Sequence, residues 1–280
     1  MGENSLVPTK MQEKGRHLMT TVDFITALFC QVDDQIGHMP KHRQAKLYPS
    51  EVVTLALLYA LKGSGVRAFW RWLRRDYRPL FPQLPSRTRL FRLFNSHDHL
   101  IGDFMAAPTL IGVIDSYGVE LLHPRREGRS AQSIGKKGVS NQRWIVGGKL
   151  CFVLDHLGRV VDWECDTANV YDGAAFQQLV DKFKHEMVIF ADAGFAKVDW
   201  HPTNLRLCQR GEWNVRMVVE TVLSMLTYVC HFKHMAHKAW HYFQTHIGFT
   251  LALFNILVQW HGFPPDETGF VPLSIADFSL

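Results

Sequence analysis

Two short apolar runs that each end in an aspartate constrain this chain more than any other feature. Leu110-Ile111-Gly112-Val113-Ile114 leads into Asp115, and Met187-Val188-Ile189-Phe190-Ala191 leads into Asp192, where Ala193-Gly194-Phe195 turns the chain at once. Short apolar runs without alternation read as strands buried on both faces. A third acid, Glu220, interrupts the apolar helical stretch Val218-Val219-Glu220-Thr221-Val222-Leu223. Two strand-end aspartates and one helical glutamate supply the hard oxygen donors that Mg²⁺ or Mn²⁺ prefers. Two such ions can drive in-line attack on a phosphodiester. The plainer reading makes Asp115 and Asp192 polar strand ends that cap turns, and Glu220 a solvated position on an amphipathic helix.

Charge is distributed unevenly enough to matter. Of the 280 residues, those up to Pro108 carry 15 Lys+Arg against 9 Asp+Glu, whereas the remainder carries 16 against 17. The basic front third calls for a polyanion as partner. The five cysteines (Cys30, Cys151, Cys165, Cys208, Cys230) form no C-x-x-C pair; such scatter suits a reducing cytosol. Met1-Gly2-Glu3-Asn4-Ser5 lacks the basic start of a secretory signal. The longest apolar stretch, Ile247 to Val258, is broken by Gly248, Thr250 and Asn255 and falls short of the ~20 residues a bilayer span needs. The expectation is a cytoplasmic protein with no membrane partner.

Residues 1–108 read as a helical, basic DNA-binding region. Thr21 to Val32 shows a helical stripe at Val22, Ile25, Leu28 and Phe29; Ser50 is the expected N-cap of a helix over Val52 to Leu61. Lys62-Gly63-Ser64-Gly65 breaks that helix, Val66 to Tyr77 resumes one, and Ser86 opens another through Phe94. Between Arg67 and Arg92 stand eight arginines and one acid, Asp76. Arg67, Arg71, Arg74, Arg75 and Arg78 recur at three- and four-residue steps, with Phe69, Trp70 and Trp72 interleaved. Such a face pairs with phosphates or base edges, and short helices about a glycine turn are what a helix-turn-helix needs. The alternative is an ordinary solvated face over aromatic core residues.

Beyond Pro108 the texture changes to strands. Leu110 to Ile114, Trp144 to Leu154 and Arg159 to Thr167 read as strands, with Asp155-His156-Leu157-Gly158 as a hairpin turn. The stretch from Pro124 to Gly138 reads as a basic, glycine-rich, mobile loop. Tyr171 to Lys184 reads as a helix, Met187 to Phe190 as a fourth strand, Asn214 to His231 as a long helix, and Lys238 to Trp260 as the last. This order predicts an α/β fold: an RNase H-like mixed sheet with packed helices over residues 109–262, preceded by the all-helical region and followed by a C-terminal tail, 263–280. Asp115 and Asp192 would then lie side by side, with the helix of Glu220 crossing over them.

Three groups of residues carry a resemblance to a known family. Ile114-Asp115-Ser116 with Gly147-Gly148-Lys149-Leu150 and Ala168-Asn169-Val170-Tyr171-Asp172, then Ala191-Asp192-Ala193-Gly194-Phe195, then Trp213-x-x-Arg216-x-x-x-Glu220, together resemble the DDE transposases of bacterial insertion sequences. The match spans about Leu110 to His231. It departs from the family where Trp213 replaces the usual tyrosine and Thr227 replaces a lysine; the 28-residue gap from Asp192 to Glu220 leaves no room for a large insertion domain. The resemblance implies a transposase in which Asp115, Asp192 and Glu220 hold two Mg²⁺ or Mn²⁺ ions. They would nick the transposon end and join its 3′-hydroxyl to target DNA. It further implies terminal repeats and target DNA as double-stranded partners, a homodimer that pairs two ends, and residence at the bacterial nucleoid. Arg216, one helical turn before Glu220, is the expected phosphate ligand, or else only its i,i+4 ion-pair partner. Lys149, Arg125, Arg126, Arg129, Lys136 and Lys137 are further candidates for DNA contact.

Two rival clusters have ordinary explanations. Asp162, Glu164 and Asp166 share one strand face, as the solvent side of an edge strand would. His231, His234, His237 and His241, beside Cys230, recur at zinc-ligand spacings, but Lys233 and Lys238 stand among them and point to a wet, DNA-facing surface. Two other functions share these residues: a catalytically inactive DNA-binding relic or repressor, and a metal-dependent nuclease that never joins.

Overall fold

The computed structural model describes residues 20–128, 134–140, 143–196, 202–208, 215–233, 235, 237–262, 275 and 278. Four helices come first. α1 (Thr21–Ile36) is opened by a capping box, in which the Thr20 hydroxyl accepts from the Asp23 amide at 3.2 Å and the Asp23 carboxylate accepts from the Thr20 amide at 3.3 Å. Its buried stripe is Phe24, Ile25, Leu28, Val32 and Ile36. The expected stripe was shifted, since Val22 is exposed. α2 (Pro49–Lys62) starts earlier than expected: Tyr48 is the N-cap, Pro49 takes the first turn, and Glu51 accepts from the Tyr48 amide at 2.7 Å. Ser50 is instead buried within that first turn. α2 is buried almost all round, from Val52 to Leu61.

Gly63 ends α2 in the left-handed region, φ +56°. A Cβ there would also lie 2.3 Å from the His231 ring, so glycine is required twice over. Across Gly63-Ser64-Gly65 the chain enters α3 (Val66–Asp76), bent from α2 by 116°. That angle and short glycine turn match helix-turn-helix geometry. α4 (Arg87–Ser96) follows, with Leu90, Phe91 and Phe94 buried. No single helix among the described residues is long and apolar enough to cross a membrane.

The sheet has six strands: β1 (Ile111–Leu122), β2 (Lys136–Ser140), β3 (Arg143–Asp155), β4 (Val160–Thr167), β5 (Val188–Ala191) and β6 (Leu205–Leu207). β3 pairs antiparallel with β1 along one edge, and with β2 and β4 along the other. β5 pairs parallel with β1, and β6 parallel with β5. Leaving β2 aside, the order β4-β3-β1-β5-β6 is the RNase H-like sheet expected from the element order. The hairpin from β3 to β4 is locked by buried Asp155, which accepts from the amides of Leu157 and Arg159 at 2.9 and 2.8 Å and from the Arg159 guanidinium at 2.8 Å.

Some expectations are corrected. Part of the basic loop, 136–140, is strand β2 rather than mobile chain, because its backbone pairs with Arg143 to Gly147 of β3. The helix expected over Tyr171 to Lys184 is broken at Phe176 into α5 (Asp172–Ala175) and α6 (Gln177–Asp181), and residues 182–186 are turns. Phe176 bends there and is itself buried. α7 (Val215–Tyr228) ends before His231, whose φ of +50° stops the helix. β6 had no sequence signal, being three residues long.

Alternation splits the core in two. One face of the sheet (Val113, Val119, Leu150, Phe152, Leu154 and Val160) packs under α7 and α8 (Trp240–His261), in a cluster that runs on without a break into α1, α2 and α4. The change at Pro108 is therefore one of secondary structure, and the buried cluster continues across it. The other face (Ile114, Cys151, Val153, Val161, Ile189 and Ala191) packs against Phe176, Leu179, Val180 and Phe183. Asn255 of α8 pins the first layer: its amide donates to the carbonyls of Phe104 and Val160 at 3.0 and 2.8 Å and accepts from the Val160 amide at 2.8 Å.

His237 and His246 meet within this core, Nε2 to Nδ1 at 2.7 Å, with His246 against the Tyr59 ring at 4.7 Å between centroids. His237 is thus not on a wet surface; His234 lies outside the described residues. Burial pushes His237 down to about 4 and His246 down to about 3, the latter helped by its neighbour. Both are neutral in the folded chain at pH 7. The unfolded chain binds more protons between its histidine value near 6.5 and these depressed values. Stability should therefore be complete above about pH 6.5 and fall as the pH drops toward 4. Thermal melts across that range are expected to show the loss, and His246→Gln is expected to flatten it.

Candidate active site

The two aspartates meet through β1 and β5. The pairs Ile111↔Val188, Gly112↔Ile189 and Val113↔Phe190 hold a constant offset. Two residues further along each chain stand Asp115 and Asp192, level with one another where β5 has just ended. Val113 and Val119 point into the α7–α8 layer, so Asp115, in phase with them, is on that face. Ala191 points the other way, and Asp192 is still extended (φ −78°, ψ 176°), so alternation brings its side chain to the face of Asp115.

Local chemistry fixes both carboxylates. Asp192 accepts from the Gly194 amide at 2.7 Å and so caps the short 3₁₀ turn Ala193–Phe195. A Cβ on residue 194 would lie 2.8 Å from that same oxygen, which is why the turn carries glycine. Phe195 is buried and anchors the turn. Asp115 is half-buried and accepts from the Ser116 amide at 2.7 Å. Each keeps oxygen lone pairs beyond these bonds.

Behind Asp115, on the opposite face, lies a network with no role in the sequence reading. The Ser116 hydroxyl donates to one Asp172 oxygen at 2.8 Å, and Lys149 Nζ sits 2.7 Å from the other while donating to the Val170 carbonyl at 2.9 Å. The strand carrying Asp115 is thereby tied to β3 and to the start of α5. The Ala-Asn-x-x-Asp motif was the only sequence trace of it. Lys149 is buried, and its ammonium is used inside the fold instead of being presented to DNA.

The other expected residues are placed as follows. Glu220 stands on α7, whose Val219, Val222 and Leu226 are buried; Glu220 and Ser224 are exposed on the far side of the helix. Among the described residues no three His, Cys, Asp or Glu side chains gather into a group able to hold a metal ion. The structure thus brings Asp115 and Asp192 to one level and face. The pair fits a hard divalent cation in donor type. The side chain of Arg216, and all of Trp213 and Arg129, lie outside the described residues. Arg125 and Arg126 are exposed in the 3₁₀ turn Pro124–Arg126, and Lys136 and Lys137 are exposed on β2, Lys137 being 3.7 Å from Glu127.

On α3, Arg67, Arg71, Arg74, Arg75 and Arg78 (the last just beyond the helix end) are all exposed, while Phe69 and Leu73 are buried. Arg74 lies over the Trp70 ring at 5.3 Å, and Arg75 is forked onto Asp76 at 2.6 and 2.8 Å. Asp162, Glu164 and Asp166 share the α6 face of β4, where Lys182 pairs with Asp162 at 2.5 Å. Burial and then the neighbouring Asp162 raise Glu164 above the usual carboxylate range.

Residues 106–209 match the family of the transposase DDE domain. That segment, which holds β1 to β6 with Asp115 and Asp192, is thus similar to the DDE domain of transposases. The matched segment ends before α7 and Glu220. No curated protein matches the chain.

Removing one partner of a buried ion pair leaves the other charge uncompensated, at a cost of about 3–5 kcal/mol. Asp172→Ala is therefore expected to destabilise the protein by about that amount, measured as a lowered denaturation midpoint. Replacing Lys149 by Met in the same chain is expected to recover most of the loss.

Proposed function

We propose that this chain is a transposase of a bacterial insertion sequence that nicks transposon ends and joins the freed 3′-hydroxyl to target DNA. The observation that carries the reading is the level placement of Asp115 and Asp192 on adjacent parallel strands, within the segment that matches the transposase DDE domain. Asp115, Asp192 and Glu220 are the proposed holders of two Mg²⁺ or Mn²⁺ ions. Such ions, when bound, activate the attacking oxygen and stabilise the leaving one. The chain's own part is to fix the two aspartates by the Ser116 and Gly194 amides and to hold DNA. Exposed Arg67, Arg71, Arg74 and Arg78, on α3 and just past its end, are the proposed contacts to the transposon end. Arg125, Arg126, Lys136 and Lys137 extend the positive surface beside the sheet, Arg129 is proposed as a further DNA contact, and Arg216 is the proposed phosphate ligand on α7. Pairing of two ends makes a homodimer the proposed working unit, at the nucleoid.

A second reading has a specific observation in its favour. The matched transposase segment, residues 106–209, stops short of α7 and of Glu220, which is exposed there, as in a DNA-binding relic that no longer cuts. One experiment separates the readings. Wild type, Asp115→Asn, Asp192→Asn and Glu220→Gln are incubated with Mg²⁺ or Mn²⁺ and DNA carrying the flanking ends of the gene. The transposase reading expects wild type to nick and join. It expects each variant to lose both by more than the roughly 10–100-fold typical of altering a residue behind a metal ligand, with DNA binding retained. End binding without any metal-dependent chemistry would establish the relic, and nicking without joining a nuclease.

A further inference from the structure

Two residues past Asp115, on the same face of β1, Tyr117 opens a groove of about 320 Å³. The rest of β1, Arg143 at the start of β3 and Lys233, in the turn after α7, line it. Lys233 Nζ lies 5.2 Å from the centre of the Tyr117 ring, and the fully buried Phe232, in the same turn as Lys233, packs against that ring at 6.0 Å. A lysine on a solvated turn loses side-chain freedom by being seated in this way; the ring's negative face offsets that loss. Lys233 and Arg143 are exposed, and among the described residues neither is ion-paired with a carboxylate. His123 adds a further nitrogen, and among the described residues Glu120 is the only acid in the lining. The result is a groove with net positive charge, two cations against one acid, running along the strand that carries Asp115.

An anion with charges repeated along a line is the ligand such a groove fits, and phosphates of a DNA strand have that form. We propose that this groove seats the phosphate backbone of the DNA strand where it passes the Asp115–Asp192 pair. Lys233 and Arg143 contact phosphates, and Tyr117 is the positioning residue that holds the Lys233 ammonium over β1. The assignment rests on the transposase reading for the identity of the strand. Its binding chemistry is tested independently of that reading.

The test uses the full chain and a random-sequence duplex, with affinity followed across a salt series. Each phosphate contact contributes about 1 to the slope of log affinity against log salt. Lys233→Ala and Arg143→Ala are each expected to lower the slope by about 1, and the double variant by about 2. Tyr117→Leu is expected to behave like Lys233→Ala, whereas Tyr117→Phe, which keeps the ring, retains the wild-type slope. Lys184→Ala, on the α6 side of the sheet, serves as control and leaves the slope unchanged. Unchanged slopes in both Lys233→Ala and Arg143→Ala would overturn the groove. Metal-dependent nicking by the same preparations separates the two claims: a chain that loses slope as expected but never nicks keeps the groove and loses the enzyme. A chain that nicks with no slope change keeps the enzyme and loses the groove.

Discussion

The parallel pairing of β1 with β5 is the contact on which the site depends. Two strands far apart in sequence share an offset set by three residue pairs, and that offset alone puts Asp115 level with Asp192. A slip of one residue would turn every side chain of β5 to the other face. Slippage is resisted by burial on both sides: Ile189 and Ala191 point into one core, while Phe190 packs on the other. The glycine turn then stops β5 where its carboxylate is still extended. The chemistry of the site is thus a by-product of sheet register, and its precision comes from apolar packing.

The helical front of the chain is joined to this sheet by one long core. α8 is buried along most of its length and touches both the front helices and the sheet, and Asn255 fastens it to the start of β4 and to Phe104. His231 on Gly63 links the end of α7 to the α2–α3 turn. The basic helix α3, proposed to dock on DNA, and the strand bearing Asp115 are consequently held in one packed unit. In such a unit, movement at one end is resisted by side-chain packing at the other.

Much of this was legible in the sequence because it rests on periodicity. The strands ending in Asp115 and Asp192, the glycine break at Gly63, and the hairpin at Asp155 to Gly158 all follow from apolar runs closed by turn residues. What escaped was set by tertiary contact. The expected helix breaks at Phe176, where the backbone leaves the helical region (φ −114°, ψ 10°). β2 forms from a Lys- and Gly-rich stretch because β3 offers it an open edge. Lys149 looked like a surface cation, and its burial depends on Asp172, 23 residues on. The seat of Lys233 over Tyr117 likewise joins residues from a strand and a turn that no spacing rule connects.

The central claim is that Asp115 and Asp192 form one cation site. The most direct measurement is Mn²⁺ binding by electron paramagnetic resonance to the full chain on DNA, in wild type and in Asp115→Asn and Asp192→Asn. The account predicts bound Mn²⁺ in wild type and its loss in either variant. Undiminished binding with both aspartates replaced would contradict it.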